Sequence, residues 1–191
     1  MSVRRIPLRG AVPLAHHFLR ERVGEGDRVV DATCGNGQDT LLLAQLVGPS
    51  GKVWAFDLQE SAIAATRELL EREGVAGRVE LLQSGHEGIA DHVAGPLQAA
   101  VFNLGYLPGG DPSLVTRPES TVAALQQALD LLLPGGILTI AVYTGHPGGD
   151  EEARAVEAWC SALPPKKFNV WRHRQLNRPE YAPYLVMVEA N

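Results

Sequence analysis

Asp31-Ala-Thr-Cys-Gly-Asn-Gly-Gln-Asp39 follows directly on the short stretch Arg28-Val-Val30. This order predicts a strand ending in a carboxylate at Asp31, a tight turn at Gly35 and Gly37, and a helix from about Asp39. A turn of that kind lets backbone N–H groups approach a ligand and aims a helix N-terminus at the same point. A second strand, Lys52-Val-Trp-Ala-Phe56, ends in another carboxylate, Asp57. An acid roughly twenty residues beyond such a loop commonly holds the two hydroxyls of a ribose. Together the two stretches read as a nucleoside-cofactor site.

Strands and helices go on alternating outward from this core. A helix is expected over 60–72, a strand over 78–82, a short helix over 87–92 and a fourth strand over 98–102. A strongly amphipathic helix over 118–132 carries the stripe Val122, Leu125, Leu129 and Leu132, and Pro134-Gly-Gly136 stops it. A fifth strand over 137–143 and a helix over 150–163 follow. The last strand candidates, 168–173 and 184–189, leave no room for a helix between them, which implies an antiparallel pair on an otherwise parallel sheet. On the N-terminal side, Val12, Ala15, Leu19 and Val23 recur at helical spacing, with His16 on the apolar side as a packed residue. The fold class is α/β: a Rossmann-like, seven-stranded, mostly parallel sheet with an antiparallel C-terminal hairpin and helices on both faces. One domain is expected over 1–191, made of an N-terminal segment and helix (1–24) and a Rossmann-like core (25–191). The cofactor belongs at the carboxyl ends of strands one, two and four, where strand order reverses.

The details of the first loop favour S-adenosylmethionine (SAM) over a dinucleotide. A dehydrogenase fingerprint asks for glycine or alanine at position 40, where Thr40 stands. A pyrophosphate tolerates a nearby acid poorly, whereas the amino group of a methionine moiety welcomes one, and Asp31 is placed for it. Thr33 occupies a position that is glycine in most methyltransferase loops. Asp57 is expected on the ribose, with Gln59 beside it or at the adenine edge. After the third strand, Ser84 and His86 are candidates for the adenine; helix capping by Ser84 with Glu87 is the competing reading.

The reaction type rests on Asn103-Leu-Gly-Tyr-Leu-Pro-Gly-Gly-Asp111. Asn103 and Tyr106 resemble the Asn-Pro-Pro-Tyr signature of amino-group methyltransferases, in which the asparagine oxygen accepts a hydrogen bond from the target amine and the ring packs on the target base. Leu104 and Gly105 replace the two prolines. An alkyl amine with a pKa near ~10 arrives protonated, and His146 and Asp111 are the candidates for relieving it of a proton. Cys34 lies in the cofactor loop and reads as a small residue there, not a nucleophile.

Composition narrows the remaining classes. Of the chain's residues, 45% are hydrophobic and 20% charged, no window has the length of a membrane span, and no N-terminal signal segment is visible, so a cytoplasmic protein is expected. Cys34 and Cys160 suggest neither a disulfide framework nor a zinc site, and no metal is expected. The net charge is −5, yet nine of the seventeen basic side chains fall in two acid-free segments near the ends. Arg4, Arg5, Arg9, Lys166, Lys167, Arg172, Arg174 and Arg178 are the candidates for a phosphate-binding rim, with solvated surface as the alternative. The run 166–174 also interleaves Phe168 and Trp171 with bases.

With those residues on the page, the chain resembles a bacterial family long labelled rRNA methylases, whose studied members methylate the aminomethyl group of wobble-position 5-aminomethyl-2-thiouridine in tRNA. The matching stretches are 31–40, 55–59, 102–111, Gly-His-Pro-Gly-Gly149 and the Pro183-Tyr-Leu185 run. The resemblance implies the class I SAM-dependent methyltransferase fold and SAM as cofactor. It implies SAM contacts from Asp31, Gly35, Asn36, Gly37, Gln38, Asp39, Asp57, Gln59, Ser84 and His86, and substrate contacts from Asn103 and Tyr106. It also implies tRNA as partner, with a homodimer left open. Kept beside it are an rRNA or small-molecule amine acceptor, an NAD-dependent oxidoreductase, and a catalytically silent SAM-binding module.

Overall fold

The computed structural model describes residues 9–105, 109 and 115–191. Arg4, Arg5, Tyr106 and Asp111 therefore lie outside the described residues. In chain order the elements are α1 (Ala11–Arg22), β1 (Arg28–Asp31), α2 (Gln38–Val47), β2 (Lys52–Asp57), α3 (Glu60–Arg72), β3 (Val79–Gln83), α4 (Ile89–His92), β4 (Leu97–Asn103), α5 (Pro118–Asp130), β5 (Leu132–Val142), α6 (Gly149–Ala162), β6 (Phe168–His173) and β7 (Tyr184–Ala190). They build a seven-stranded sheet in the order β3-β2-β1-β4-β5-β7-β6. Strand β7 runs antiparallel between β5 and β6, in register from Val142 opposite Tyr184 to Ile137 opposite Glu189. The strand order reverses between β1 and β4, so the carboxyl ends of both open onto one crevice.

The period-two alternation of the strands sorts the core into two layers. Val29, Val53, Ala99, Val101 and Ile137 face one side, where they pack with Leu19 of α1, with Val23 just after it, and with Leu42, Leu43 and Val47 of α2. Their neighbours Val30, Trp54, Phe56, Ala100, Phe102, Leu138 and Ile140 face the other side and meet Ile89, Leu125, Leu129 and Val156. These strands are buried on both faces and read as continuous apolar runs, as expected of parallel strands between helices. Ala11 and Ala15 of α1 rest on Ala141 and Leu185, which brings the first helix over the β5–β7 seam beside the crevice. Its last-turn Arg22 pairs with Glu189 at 2.6 Å.

The largest difference from the sequence expectation lies at the junction of α5 and β5. Helix α5 stops at Asp130, because Leu97 N–H bonds Leu131 O at 2.7 Å and Leu132 already pairs with Leu97 as the first residue of β5. The Pro134-Gly-Gly136 run is therefore carried inside β5, where the register shifts between Leu97 and Ala99. Residue 143 leaves the strand and turns toward the crevice. Among the described residues, no helix is long and apolar enough to cross a membrane.

Candidate functional site

At the carboxyl ends of β1, β2 and β4 lies a cavity of about 930 Å³, large enough for a nucleoside cofactor together with a second reactant. The loop after β1 forms its floor. Gly35 and Gly37 adopt φ of 51° and 80°, the left-handed region that favours glycine. Gly37 faces away from the cavity: a Cβ there would come within about 3.0 Å of the Thr66 backbone. It is a turn and packing residue. Gly35, Asn36, Gln38 and Asp39 line the cavity, as do Asp57, Gln59, Ser84, His86, Asn103 and His146.

Asp31 is not among them. It is fully buried, one oxygen accepting the Thr33 N–H at 3.2 Å and the other the Thr40 hydroxyl at 2.5 Å. Asp31, expected at a methionine amino group directly or through water, thereby braces β1 to α2, and Thr40 is explained by the same bond. Burial first, and Asp39 second, push the Asp31 carboxyl up to about 7.

Asp57 is held open for a diol. Its oxygens each accept one backbone N–H, from Gly35 and from Gln59, both at 2.9 Å. A carboxylate oxygen has capacity for a further donor, so two hydroxyls can be bound without displacing either bond. Beside it, Leu58 is 58% exposed, an apolar side chain turned to the cavity with nothing covering it. His86 is buried, and burial lowers its pKa, so the ring is neutral. Its Nδ1 lies 3.3 Å from Ala32 O and must donate there. That leaves Nε2 as a buried acceptor with no partner among the described residues. An uncovered apolar face, a diol-holding carboxylate and an orphaned acceptor fit an adenosine: base face, ribose and exocyclic amine in turn. Ser84 makes no cap; its hydroxyl sits 3.4 Å from Gly85 O, and the short turn that follows has no side-chain cap at all.

The substrate side is assembled around Asn103. Its backbone N–H donates to the Thr33 hydroxyl at 2.7 Å, so the threonine that replaces the usual glycine fastens the β1 loop to β4. Its side-chain Nδ2 faces Asp39 Oδ2 at 3.4 Å, which leaves Oδ1 as the free acceptor. Asp39 in turn bonds His16 Nε2 of α1 at 2.5 Å. His16, expected as a packed residue, is therefore part of a chain running from the first helix to the fourth strand.

Position 105 shows why the second proline of the related signature is absent. Gly105 has φ 113°, which proline cannot adopt. Rigidity comes instead from Thr116: Gly105 N–H donates to its hydroxyl at 2.8 Å, and Thr116 N–H returns a bond to Gly105 O at 3.0 Å. The Thr116 hydroxyl then donates to Glu152 at 2.7 Å, and Thr121 donates to the other carboxylate oxygen at 2.6 Å. Glu152 is 2% exposed, buried on the apolar stripe of α6. The base of the Asn103 loop is pinned by a buried carboxylate from a distant helix. Sequence reading missed Glu152; its signal was an acid in line with Gly149, Ala153, Val156 and Cys160. Leu58, Thr116, Arg117, Tyr143 and Tyr181, all lining the cavity, were missed as well. Burial raises the Cys34 thiol pKa, which agrees with its reading as a small non-nucleophilic residue.

His146 lines the mouth, its Nδ1 facing Pro147 O at 3.0 Å and its ring against Gly105. The basic side chains divide. Arg172 and Arg174 flank a smaller cleft of about 340 Å³ with Gly10 and Gln175, and Pro183 is common to this cleft and the main cavity. Arg172 is paired with Glu157 at 3.0 Å, and Arg174 lies over the Tyr184 ring. Arg178 sits in the turn between β6 and β7, and Arg9 is exposed before α1. Lys166 and Lys167 precede Phe168, which pairs with Ala190 at the opposite edge of the sheet. They are about 17 Å of strand away from the mouth and do not belong to a rim around it. Among the described residues no group of His, Cys, Asp and Glu is arranged to hold a metal.

Two outcomes are expected from this geometry. Asp57→Ala weakens binding of S-adenosylhomocysteine (SAH) by about 2 kcal/mol, roughly 30-fold, and His86→Leu by about 1 kcal/mol, both read by titration calorimetry. The Asp31 carboxyl, raised in the folded state, binds a proton there that the unfolded chain has already lost between about pH 4 and 7. Stability from this group therefore falls as pH rises through that window. Urea melts of Asp31→Asn are expected to show a flatter pH dependence there than the wild type; an unchanged slope would contradict the assignment.

Comparison with known proteins agrees with the site. Residues 53–189 match the family model described as "Putative rRNA methylase". A chloroplastic tRNA (mnm(5)s(2)U34)-methyltransferase of Arabidopsis thaliana is 40% identical over 189 residues, covering 93% of this chain and 68% of that protein. A crystal structure of a putative rRNA-methylase from Clostridium thermocellum superposes with a TM-score of 0.94 at 42% identity, over 96% of this chain and 99% of that one. A putative methyltransferase of Streptococcus mutans, solved with SAH, gives 0.87 at 38% identity over the whole of both chains. The chain belongs to the rRNA methylase family and has the fold of the class I SAM-dependent methyltransferases.

Proposed function

We propose that this chain is a SAM-dependent N-methyltransferase acting on the aminomethyl nitrogen of 5-aminomethyl-2-thiouridine at the tRNA wobble position. The observation that carries the reading is the fixed amide of Asn103, whose Nδ2 is turned to Asp39 so that Oδ1 is presented as an acceptor. An acceptor oxygen suits an amine, which donates through N–H. The carboxylate beside it favours an acceptor that carries positive charge, as an alkyl amine does at neutral pH and an exocyclic base amine does not. The Arabidopsis relative named as a tRNA (mnm(5)s(2)U34)-methyltransferase supports the same choice of acceptor.

In this reading Asp57 takes the ribose hydroxyls, His86 and Ser84 meet the adenine edge, Leu58 covers its face, and Asn36, Gln38 and Gln59 supply the remaining polar contacts. SAM, when bound, supplies a methyl group on an already activated sulfonium. The residues of the chain need only orient and deprotonate the amine and exclude water. Holding two reactants in line is worth about 7–11 kcal/mol of a barrier, and the Thr33, Thr116 and Glu152 bonds keep Asn103 from drifting. Tyr106, by its resemblance to the signature tyrosine, packs on the target base. In the same reading Arg174 and Arg178, with Arg172 once released from Glu157, meet the phosphates flanking that base; the cleft that Arg172 and Arg174 share with the main cavity through Pro183 supports this.

Nucleoside mass spectrometry tests the proposal. Aminomethyl-thiouridine tRNA incubated with SAM and the protein is expected to gain one methyl on that nucleoside. Asn103→Ala is expected to lower turnover about 100-fold while SAH still binds. No methylated nucleoside, with SAH binding intact, would reject this acceptor.

A further inference from the structure

Only a neutral amine has a lone pair to offer, yet an amine with a lysine-like pKa is neutral in roughly one molecule per thousand at pH 7. One proton must leave before transfer, and its acceptor must reach the nitrogen that Asn103 orients. Asp57 is held at the ribose position by the Gly35 and Gln59 N–H groups. His86 is buried with its Nδ1 donating to Ala32 O, and burial lowers its pKa. Tyr143 is held in its protonated form by burial and by the nearby Asp39 charge. Among the described residues, Asp39 is the carboxylate that lines the cavity, stands next to the Asn103 amide and carries His16 on its other oxygen.

We infer that Asp39 is the general base for the acceptor amine and that His16, reaching across from α1, is the positioning residue that holds its carboxylate. The inference rests on the alkyl-amine reading of the acceptor. The ammonium N–H bond breaks, its electron pair stays on nitrogen, and the proton passes to Asp39 Oδ2. A cation and a carboxylate become a neutral amine and a carboxylic acid, and charge is conserved. His16 continues to meet Oδ1 throughout. Its side chain is 20% exposed against 9% for Asp39, so the pair has a solvent edge from which the proton can leave between turnovers. The charged and titratable groups facing Asp39 are Asp31 from β1, His16 from α1 and Tyr143 after β5. Burial pushes the Asp31 carboxyl up, and of the two carboxyl groups it is Asp39 that stands at the cavity wall. The arrangement also gives α1 a task in the chemistry: a helix outside the alternating βα units supplies half of the pair.

The test is turnover against pH, from 7 to 9, on aminomethyl-thiouridine tRNA with saturating SAM, for the wild type, Asp39→Asn and His16→Gln. SAH affinity is measured on the same samples. Asp39→Asn is expected to lose about 100-fold at pH 7, and the deficit is expected to shrink roughly tenfold per pH unit, because the free amine then arrives neutral on its own. His16→Gln, which keeps a donor toward Asp39, is expected to lose less and to bind SAH like the wild type. A deficit in Asp39→Asn that stays constant with pH would overturn the base role and leave orientation alone. A parallel loss of SAH affinity would overturn it in favour of a cofactor contact. A wild type that turns over no aminomethyl tRNA would overturn it together with the acceptor reading.

Discussion

Two carboxylates eight residues apart, Asp31 and Asp39, are buried in one strand-turn-helix unit, and much of the site is arranged around the cost of keeping them there. A buried carboxylate left without donors costs several kcal/mol. The chain answers with a hydroxyl and a backbone N–H for Asp31, and with an imidazole and an amide for Asp39. Each donor comes from a different place: α2 and the first loop for Asp31, α1 and the end of β4 for Asp39. Satisfying the pair therefore fastens α1, β1, α2 and β4 together at the point where strand order reverses. Burial and the neighbouring Asp39 push the Asp31 carboxyl up, while Asp39 reaches the cavity wall beside Asn103.

The same economy governs the loop after β4. A proline-rich signature would stiffen it through fixed φ angles. Here Gly105 takes a backbone conformation closed to proline, and stiffness is imported through Thr116 from Glu152 on α6. Both threonines and the glutamate are donors and acceptors in a fixed sense. Gly105 N–H donates to Thr116, and Thr116 and Thr121 donate to the carboxylate. Polar networks of this kind specify one arrangement only when every member is satisfied.

Much of this was legible in the residues. The alternation of strands and helices and the missing helix before the last strand pointed to the mostly parallel sheet with its antiparallel pair, Asp57 was read from its spacing to the first loop, and Asn103 from its resemblance to a known signature. Thr33 and Thr40, which depart from the related patterns, carried the least readable information: each looked like a weakened motif, and each supplies a hydroxyl that the motif's usual residue lacks. Asp31 was read as a ligand contact because strand ends point to the crevice, but one turn of burial under α2 is enough to hide it. His16 and Glu152 were hidden for a shared reason. Their partners lie 23, 31 and 36 residues away, and helical periodicity reports which face is buried, not what meets a polar group there. The basic segment at 166–178 shows the same limit, since a six-residue strand separates its two lysines from its arginines by the height of the sheet.

The decisive measurement is a crystal structure of this protein with SAH and an anticodon stem-loop bearing 5-aminomethyl-2-thiouridine. The amine nitrogen is expected about 3 Å from both Asn103 Oδ1 and the Asp39 carboxylate, with His16 still on the opposite oxygen. An amine seated against His146 or elsewhere in the cavity, with Asp39 turned only to the cofactor, would contradict the central claim that Asn103 and Asp39 together receive it.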